Sequence, residues 1–290
     1  MQTLKSTELP INSDGSIYHL HIHPDNVADD VLLVGDPDRV AEVSKRFDSI
    51  EMKAQNREFV THTGLLSGKR ITVMSSGIGT DNIDIVLNEL DALVNIDLTN
   101  RILKNQHRTL NIIRIGTSGG LREDIPVDSV IATEISLGFD GLLNFYQLRD
   151  EACILDMEKP FMDFVNWNTN FARPYFVSAN SDLLSRFSKF RKGITISTPG
   201  FYAPQGRALR LQPTDLNLNK RLAEFEFQKH FITNYEMESS AIYGLSKLLG
   251  HHALTVCAII GNRVTGEFSQ DYKKTVNLLI DEVLSIITTH

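Results

Sequence analysis

Cysteine is almost missing: Cys153 and Cys257 are the only two in 290 residues. They form no C-x-x-C, and no Cys/His cluster has zinc spacing, so neither a disulfide framework nor a zinc knuckle is expected. Long apolar runs are missing too. A stretch such as VLLVG at 31–35 falls far short of the ~18 apolar residues that suggest a membrane span. Basic charge is in deficit, with 29 Lys and Arg against 36 Asp and Glu for a net charge of −7. A broad nucleic-acid surface needs a basic face, so nucleic acid is excluded as a partner. Small anions are not, because a few local arginines can hold them. The opening MQTLKSTELP lacks the apolar segment of a signal peptide, and the cytoplasm is the expected location.

What is present alternates in type, which favours an α/β domain over the whole of 1–290, with no repeat, linker or composition shift dividing it. VLLVG at 31–35 reads as a buried strand, followed by a helix capped by Asp36 with Pro37 at its first position. Residues 58–77 read as a strand pair turned at Ser67–Lys69. A helix is expected from about Asp81 to Leu93, then strands at 111–116 and 128–136. The second half offers a strand at GITIST, a loop through Arg207, a helix near 217–229 and a helix after Glu236. The strand ALTVCAII and a helix from about Tyr272 complete it.

Several residues stand out against that frame. Glycine ends three strands: Gly35, Gly77 with Gly79, and Gly116 with Gly119 and Gly120. Such ends let backbone N–H groups approach an anion, and open α/β sheets bind ligands there. Arg39 follows one of these ends. Arg114 sits between Ile113 and Ile115 in an apolar strand, where a guanidinium is costly unless Glu238 or a bound oxyanion partners it. The loop FYAPQGR, Phe201 to Arg207, supplies an aromatic, an amide and a guanidinium suited to a planar heterocycle. Glu236 and Glu238 flank Met237 just before a helix, where acidic side chains complement the dipole. In YHLHIHPDN, strand alternation would put His19, His21 and His23 on one face, but without neighbouring carboxylates or cysteines no metal is expected.

The segments VGDPDRV (34–40), NREF (56–59), VMSSGIG (73–79), RIGTSGG (114–120), FYAPQGR (201–207), NYEMES (234–239) and IIGNR (259–263) resemble, in this order, the nucleoside phosphorylase family, and most of all its uridine phosphorylase branch. The resemblance implies a three-layer α/β fold with a central mixed sheet flanked by helices. It implies phosphorolysis of a pyrimidine nucleoside, uridine above all, with inorganic phosphate as co-substrate and no cofactor. Gly35, Arg39, Arg114 and Thr117 would hold phosphate, joined by Arg57 from a neighbouring subunit. Glu238, Met237 and Thr117 would hold the ribose, with the neighbour's His19. Ser118, Gly119, Phe201, Gln205, Arg207 and Ile260 would face the base. Arg39, Arg114 and Glu238 would carry catalysis, and Glu236 a structural role.

Purine-cleaving relatives use an aspartate after a serine to protonate the base, where this chain has Gly261 and Asn262. Asn82 stands where relatives that bind a monovalent cation between subunits have serine, which argues against that ion, although Glu58 is present. Two side chains donated across an interface imply at least a homodimer, and bacterial relatives imply a hexamer built from dimers. The alternatives are a purine nucleoside phosphorylase, a nucleoside hydrolase-type relative, a dinucleotide-binding oxidoreductase (SGIGTDN has Asn82 in place of a third glycine) and a non-catalytic nucleoside-binding protein.

Overall fold

The computed structural model describes residues 3–289. After a 3-10 turn at Pro24–Asn26, β1 (Asp30–Val34) runs with all five residues buried, as an unbroken apolar stretch implies for a strand covered on both faces. In α1 (Pro37–Ser44) the Asp36 carboxylate accepts from the Asp38 N–H at 3.0 Å, and Pro37 fills a position that needs no N–H. β2 (Ser49–Asn56), β3 (Phe59–Leu66) and β4 (Lys69–Ser75) form an antiparallel meander, and Ser67 and Gly68 turn it with positive φ of 52° and 77°. α2 (Thr80–Asn95) follows, then a small clip of β5 (Ile96–Asp97) and β6 (Ile102–Leu103). β7 (Asn111–Gly120) and β8 (Val130–Gly138) are long, and α3 (Arg149–Ala152), α4 (Leu155–Val165), β9 (Tyr175–Ser178) and α5 (Ser181–Arg186) come next. β10 (Arg191–Ser197), α6 (Leu218–Glu224), β11 (Glu226–Phe227), β12 (His230–Glu236), α7 (Ser239–Leu248), β13 (His252–Asn262) and α8 (Tyr272–Thr289) complete the chain.

Eleven strands make one mixed sheet in the order β11-β12-β10-β8-β13-β7-β1-β4-β3-β2, with β9 beside β8. β12 also pairs with β7, so β7, β13, β8, β10 and β12 close a ring, and the meander extends from it as a wing. One apolar cluster joins α2 and α7 to one face of the sheet, and a second joins α1, α5 and α8 to the other. This is the expected three-layer arrangement. A third cluster packs α4 and α6 on the outer side of the ring through Met157, Phe161, Val165 and Leu222. Among the described residues, no helix is long and apolar enough to cross a membrane.

Three details depart from the sequence reading. The helix expected over 217–229 ends at Glu224, because the apolar period changes from helical to two at Phe225 and Phe227. β11 and β12 then form a hairpin with Gln228 at a φ of 57°. β2 was not anticipated, although Ile50, Met52 and Ala54 alternate with Glu51, Lys53 and Gln55; the strand buries none of its residues fully. Residues 18–20 of the histidine tract are turns and His21 has a φ of 55°, so the strand that would align the three rings does not form.

The stretch 140–175, unreadable in sequence, is a buttress. Glu158 is buried and paired with Arg149 at 2.5 Å and Arg173 at 2.6 Å, while Leu143 packs onto Gly244 of α7. A Cβ on Gly244 would lie 2.3 Å from Leu143 Cδ1 and 2.8 Å from its Cγ, and Leu143 is fully buried. Alanine is the better helix former by about 1 kcal/mol, but overpacking of this kind costs about 1–3 kcal/mol. Gly244→Ala is therefore expected to lower the melting temperature, and a raised one would show that Leu143 can yield.

Candidate active site

Strand ends converge on one cavity of ≈980 Å³, lined by Gly35 after β1, Gly77 after β4, Thr117–Gly119 of β7, Met237 and Glu238 after β12, and Ile260–Arg263 at the end of β13. Arg39 of α1 and the loop carrying Phe201, Gln205 and Arg207 close its two ends. It lies where the parallel strands deliver their carboxyl ends, the expected place in an open α/β sheet.

One end is cationic. Arg114 is 5% exposed, and its guanidinium reaches both glutamates: Nη2 donates to Glu238, and Nη1 lies 3.4 Å from Glu236 Oε2. Its Nε has no partner among the described residues. The neighbouring Arg39 guanidinium has its pKa pushed down by burial and then by the positive charge of Arg114. A buried and a half-buried guanidinium side by side, with a donor unspent, suit a tetrahedral oxyanion. The backbone of β7 makes room for this. A Cβ on Gly116 would lie 1.9 Å from Arg114 Nη1 and 3.0 Å from Cys257 Sγ, so only glycine lets the guanidinium fold back along its own strand.

The two carboxylates divide their work. Glu236 accepts from the backbone N–H groups of Glu238 at 2.9 Å and Ser239 at 3.0 Å, and from Ser239 Oγ at 2.6 Å. It thereby ties down the start of α7, the structural role expected of it. Glu238 is 3% exposed and its Oε1 accepts from the Gly79 N–H at 2.8 Å. That N–H is presented by a loop in which Gly77 and Gly79 take φ of 68° and 99°, values that glycine adopts without strain. Burial raises the Glu238 carboxyl to about 7; the Arg114 charge opposes this and the Glu236 charge adds to it.

The other end suits a flat ring with carbonyl oxygens. The Arg207 guanidinium lies 3.7 Å from the Phe201 ring centroid and donates to Gln205 Oε1, while Gln205 Nε2 donates to Thr198 Oγ1 at 3.0 Å. Ser118 Oγ is buried without a partner among the described residues. Burial and then the charge of Arg263 push Arg207 down to about 10. Arg263 faces the same space with a buried, unpartnered Nη1, and burial lowers its pKa as well. Sequence reading quoted IIGNR without giving Arg263 a role, and it passed over Tyr235 of β12, which also lines the cavity. The signal for Arg263 was its position one residue beyond an apolar strand.

Neither His19 nor Arg57 lines this cavity. His19 Nδ1 pairs with Glu89 at 2.6 Å, and Glu89 also accepts from the Leu20 N–H at 2.9 Å, which orients the ring. Arg57 is exposed in the two-residue turn between β2 and β3 with a φ of 53°. Glu58, its neighbour, lines the cavity, as does Asn82.

The molecule is thus a mixed α/β protein in which one cavity joins an end lined by Arg39 and Arg114 to an end lined by Phe201, Gln205, Arg207 and Arg263, with the buried Glu238 in its wall. The chain belongs to the phosphorylase superfamily, whose model matches residues 29–289. It is 30% identical over 97% of its length to a uridine phosphorylase of Thermococcus kodakarensis, covering 90% of that protein. It is also 27% identical to a DeoD-type purine nucleoside phosphorylase of Hahella chejuensis, over 86% of this chain and 88% of the relative. Among solved structures, a Trypanosoma brucei nucleoside phosphorylase described as showing uridine phosphorylase activity superposes with a TM-score of 0.89 at 28% identity, covering 97% of this chain and 100% of that one.

Gly116→Ala is expected to displace Arg114 and weaken inorganic phosphate binding about tenfold or more, because a charged hydrogen-bond partner leaves the site. Isothermal titration with phosphate reads this, and an unchanged affinity would mean that Arg114 does not hold the anion.

Proposed function

We propose that this chain is a nucleoside phosphorylase acting on uridine, releasing uracil and ribose 1-phosphate. The observation that carries the reading is the buried Arg114–Glu238 contact between an arginine-lined end and the Gln205–Arg207–Arg263 end of a single cavity. Arg39, Arg114, Thr117 and the Gly35 backbone hold phosphate. Glu238 and Met237 hold the ribose hydroxyls, and Ser118, Gly119, Phe201, Gln205, Arg207 and Ile260 enclose the base.

A phosphate oxygen attacks the anomeric carbon while the bond to the base nitrogen breaks, and the electron pair leaves with the base. Positive charge grows on the sugar ring beside the Glu238 carboxylate. Negative charge grows on the uracil oxygens, facing the Arg207 and Arg263 guanidiniums and the Gln205 amide. Fixed charges aimed at both poles of a separating pair lower its energy without reorganisation, and holding phosphate and nucleoside together supplies proximity. A proton from solvent then neutralises the uracil anion. No covalent enzyme intermediate and no cofactor enter this scheme.

The purine reading has one observation in its favour, the similarity to a relative named as a purine nucleoside phosphorylase. A panel of uridine, inosine and adenosine, each with and without phosphate and followed by base absorbance, separates the readings. Uridine cleavage dependent on phosphate is expected. Equal turnover without phosphate would turn the enzyme into a hydrolase, and preference for inosine would reassign the base end.

Two further outcomes follow. Glu238 acts ionised, so kcat/KM is expected to rise with pH through a limb near 7, absent in Glu238→Gln. Stability runs the other way. A folded value of about 7 against an ordinary 4.5 means that this contribution is complete below 4.5 and lost as pH rises through 7. A pH–rate profile of wild type that is flat between 6 and 8 would remove Glu238 from this role.

Arg57 and His19 are proposed to reach the cavity of a second copy, making the dimer the smallest active form. Mixing the weak variants Arg57→Ala and Arg114→Ala after subunit exchange is then expected to restore activity, since each mixed dimer holds one complete site. No recovery, with exchange verified, would keep Arg57 out of the reaction.

A further inference from the structure

The rim over the base end is a loop with little packing of its own. Val264 is 47% and Phe268 65% exposed. What gives this loop a shape is Asn262, which is itself 3% exposed. Its side-chain amide donates to the carbonyls of Arg122 at 2.8 Å and Ile125 at 2.7 Å. Its Oδ1 accepts from the N–H groups of Val264 at 2.8 Å and Thr265 at 3.1 Å. On the main chain, the Asn262 N–H donates to Glu267 O at 2.9 Å, and its carbonyl accepts from the Gly266 N–H at 3.0 Å. Both amide hydrogens, the amide oxygen and both backbone groups are therefore occupied, which is nearly the full capacity of an asparagine.

The side chain beside this clamp is Arg263. Its N–H donates to Gly120 O at 2.8 Å, and its guanidinium faces the cavity with Nη1 buried and unpartnered. Nothing in the described residues ties that guanidinium to a carboxylate, so its direction is set by the backbone on either side. Asn262 fixes one side through the loop, and β13 fixes the other.

We propose that Asn262 is a positioning residue that determines base specificity by aiming Arg263 at the oxygen-bearing edge of the base. The inference rests on the uridine reading above. The requirement is specific to the amide. Aspartate keeps the two acceptor contacts but sets a carboxylate against the Arg122 and Ile125 carbonyls with no hydrogen to give, which opens the loop at its root.

The experiment is a double-mutant cycle of Asn262→Asp and Arg263→Ala, with uridine and phosphate KM, kcat and melting temperature measured for each protein. If Asn262 acts through Arg263, either single change raises uridine KM about tenfold, phosphate KM stays within about twofold, and the double variant is no worse than Arg263→Ala. Additive effects, or phosphate KM rising in step with uridine KM, overturn the inference. Should Asn262→Asp not fold, Asn262→Ala takes its place, because it brings no charge to the two carbonyls. Failure of both to fold also overturns it, since the residue would then be a requirement of the sheet. Wild-type protein without phosphate-dependent uracil release would instead sink the uridine reading. In that case, amide exchange at Val264 and Thr265, unaltered in Asn262→Asp, would still dispose of the clamp.

Discussion

The structure turns on one buried contact, that of the Arg114 guanidinium with the Glu238 carboxylate. A lone charge at either position would be severely costly, and together they remain expensive unless the surroundings satisfy what is left of each. The surroundings do so in part, from distant parts of the chain, and leave Arg114 Nε without a partner among the described residues. Gly79 offers its N–H to Glu238, Glu236 approaches Arg114 from behind, and Gly116 gives up a side chain so that the guanidinium can lie flat. Ring closure through the β12–β7 pairing brings the two partners together, with Asn234 opposite Gly120 and Tyr235 opposite Gly119. The sheet topology and the ion pair are therefore one constraint seen at two scales.

Charge is sorted along the cavity. Arg39 and Arg114 crowd one end, Arg207 and Arg263 the other, and the pKa of Arg39, Arg207 and Arg263 is lowered by burial. Between them lies Glu238, whose carboxyl is raised by burial to about 7. Under the proposed reaction, the two pairs of arginines and Glu238 between them face charges of opposite sign, anionic phosphate and departing base on either side of a cationic sugar.

Much of this was legible in the chain. Arg114 between two isoleucines announced a buried charge, glycines at three strand ends marked where backbone could meet an anion, and Asp36-Pro37 fixed the start of α1. Local patterns failed where partners were remote. β2 alternates Ile50, Met52 and Ala54 with polar residues but buries none of them fully, and its place depends on β3. In the 140–175 buttress Met157, Phe161 and Val165 of α4 recur at helical spacing, but the rest of its hold comes from partners that no local pattern shows, Glu158 between two arginines and Leu143 against Gly244. Arg263 was overlooked for a related reason: its loop follows a strand, and only the folded backbone shows which way it points. The histidine tract erred in the opposite sense, since alternation in sequence had no strand to give it meaning.

β13 is the next-to-last element in sequence and lies in the middle of the sheet, between β7 and β8. Until it inserts, both neighbours present bare edges, and β12 closes a ring with a gap in it. A chain emerging from the ribosome must therefore keep one edge each of two long, apolar strands bare through the synthesis of more than one hundred further residues, from the end of β8 at Gly138 to β13 at His252, although β1 already pairs with β7 and β9 and β10 can pair with β8. That interval is the period of greatest exposure to mispairing and aggregation, and a chain cut short before His252 has no central strand around which to assemble.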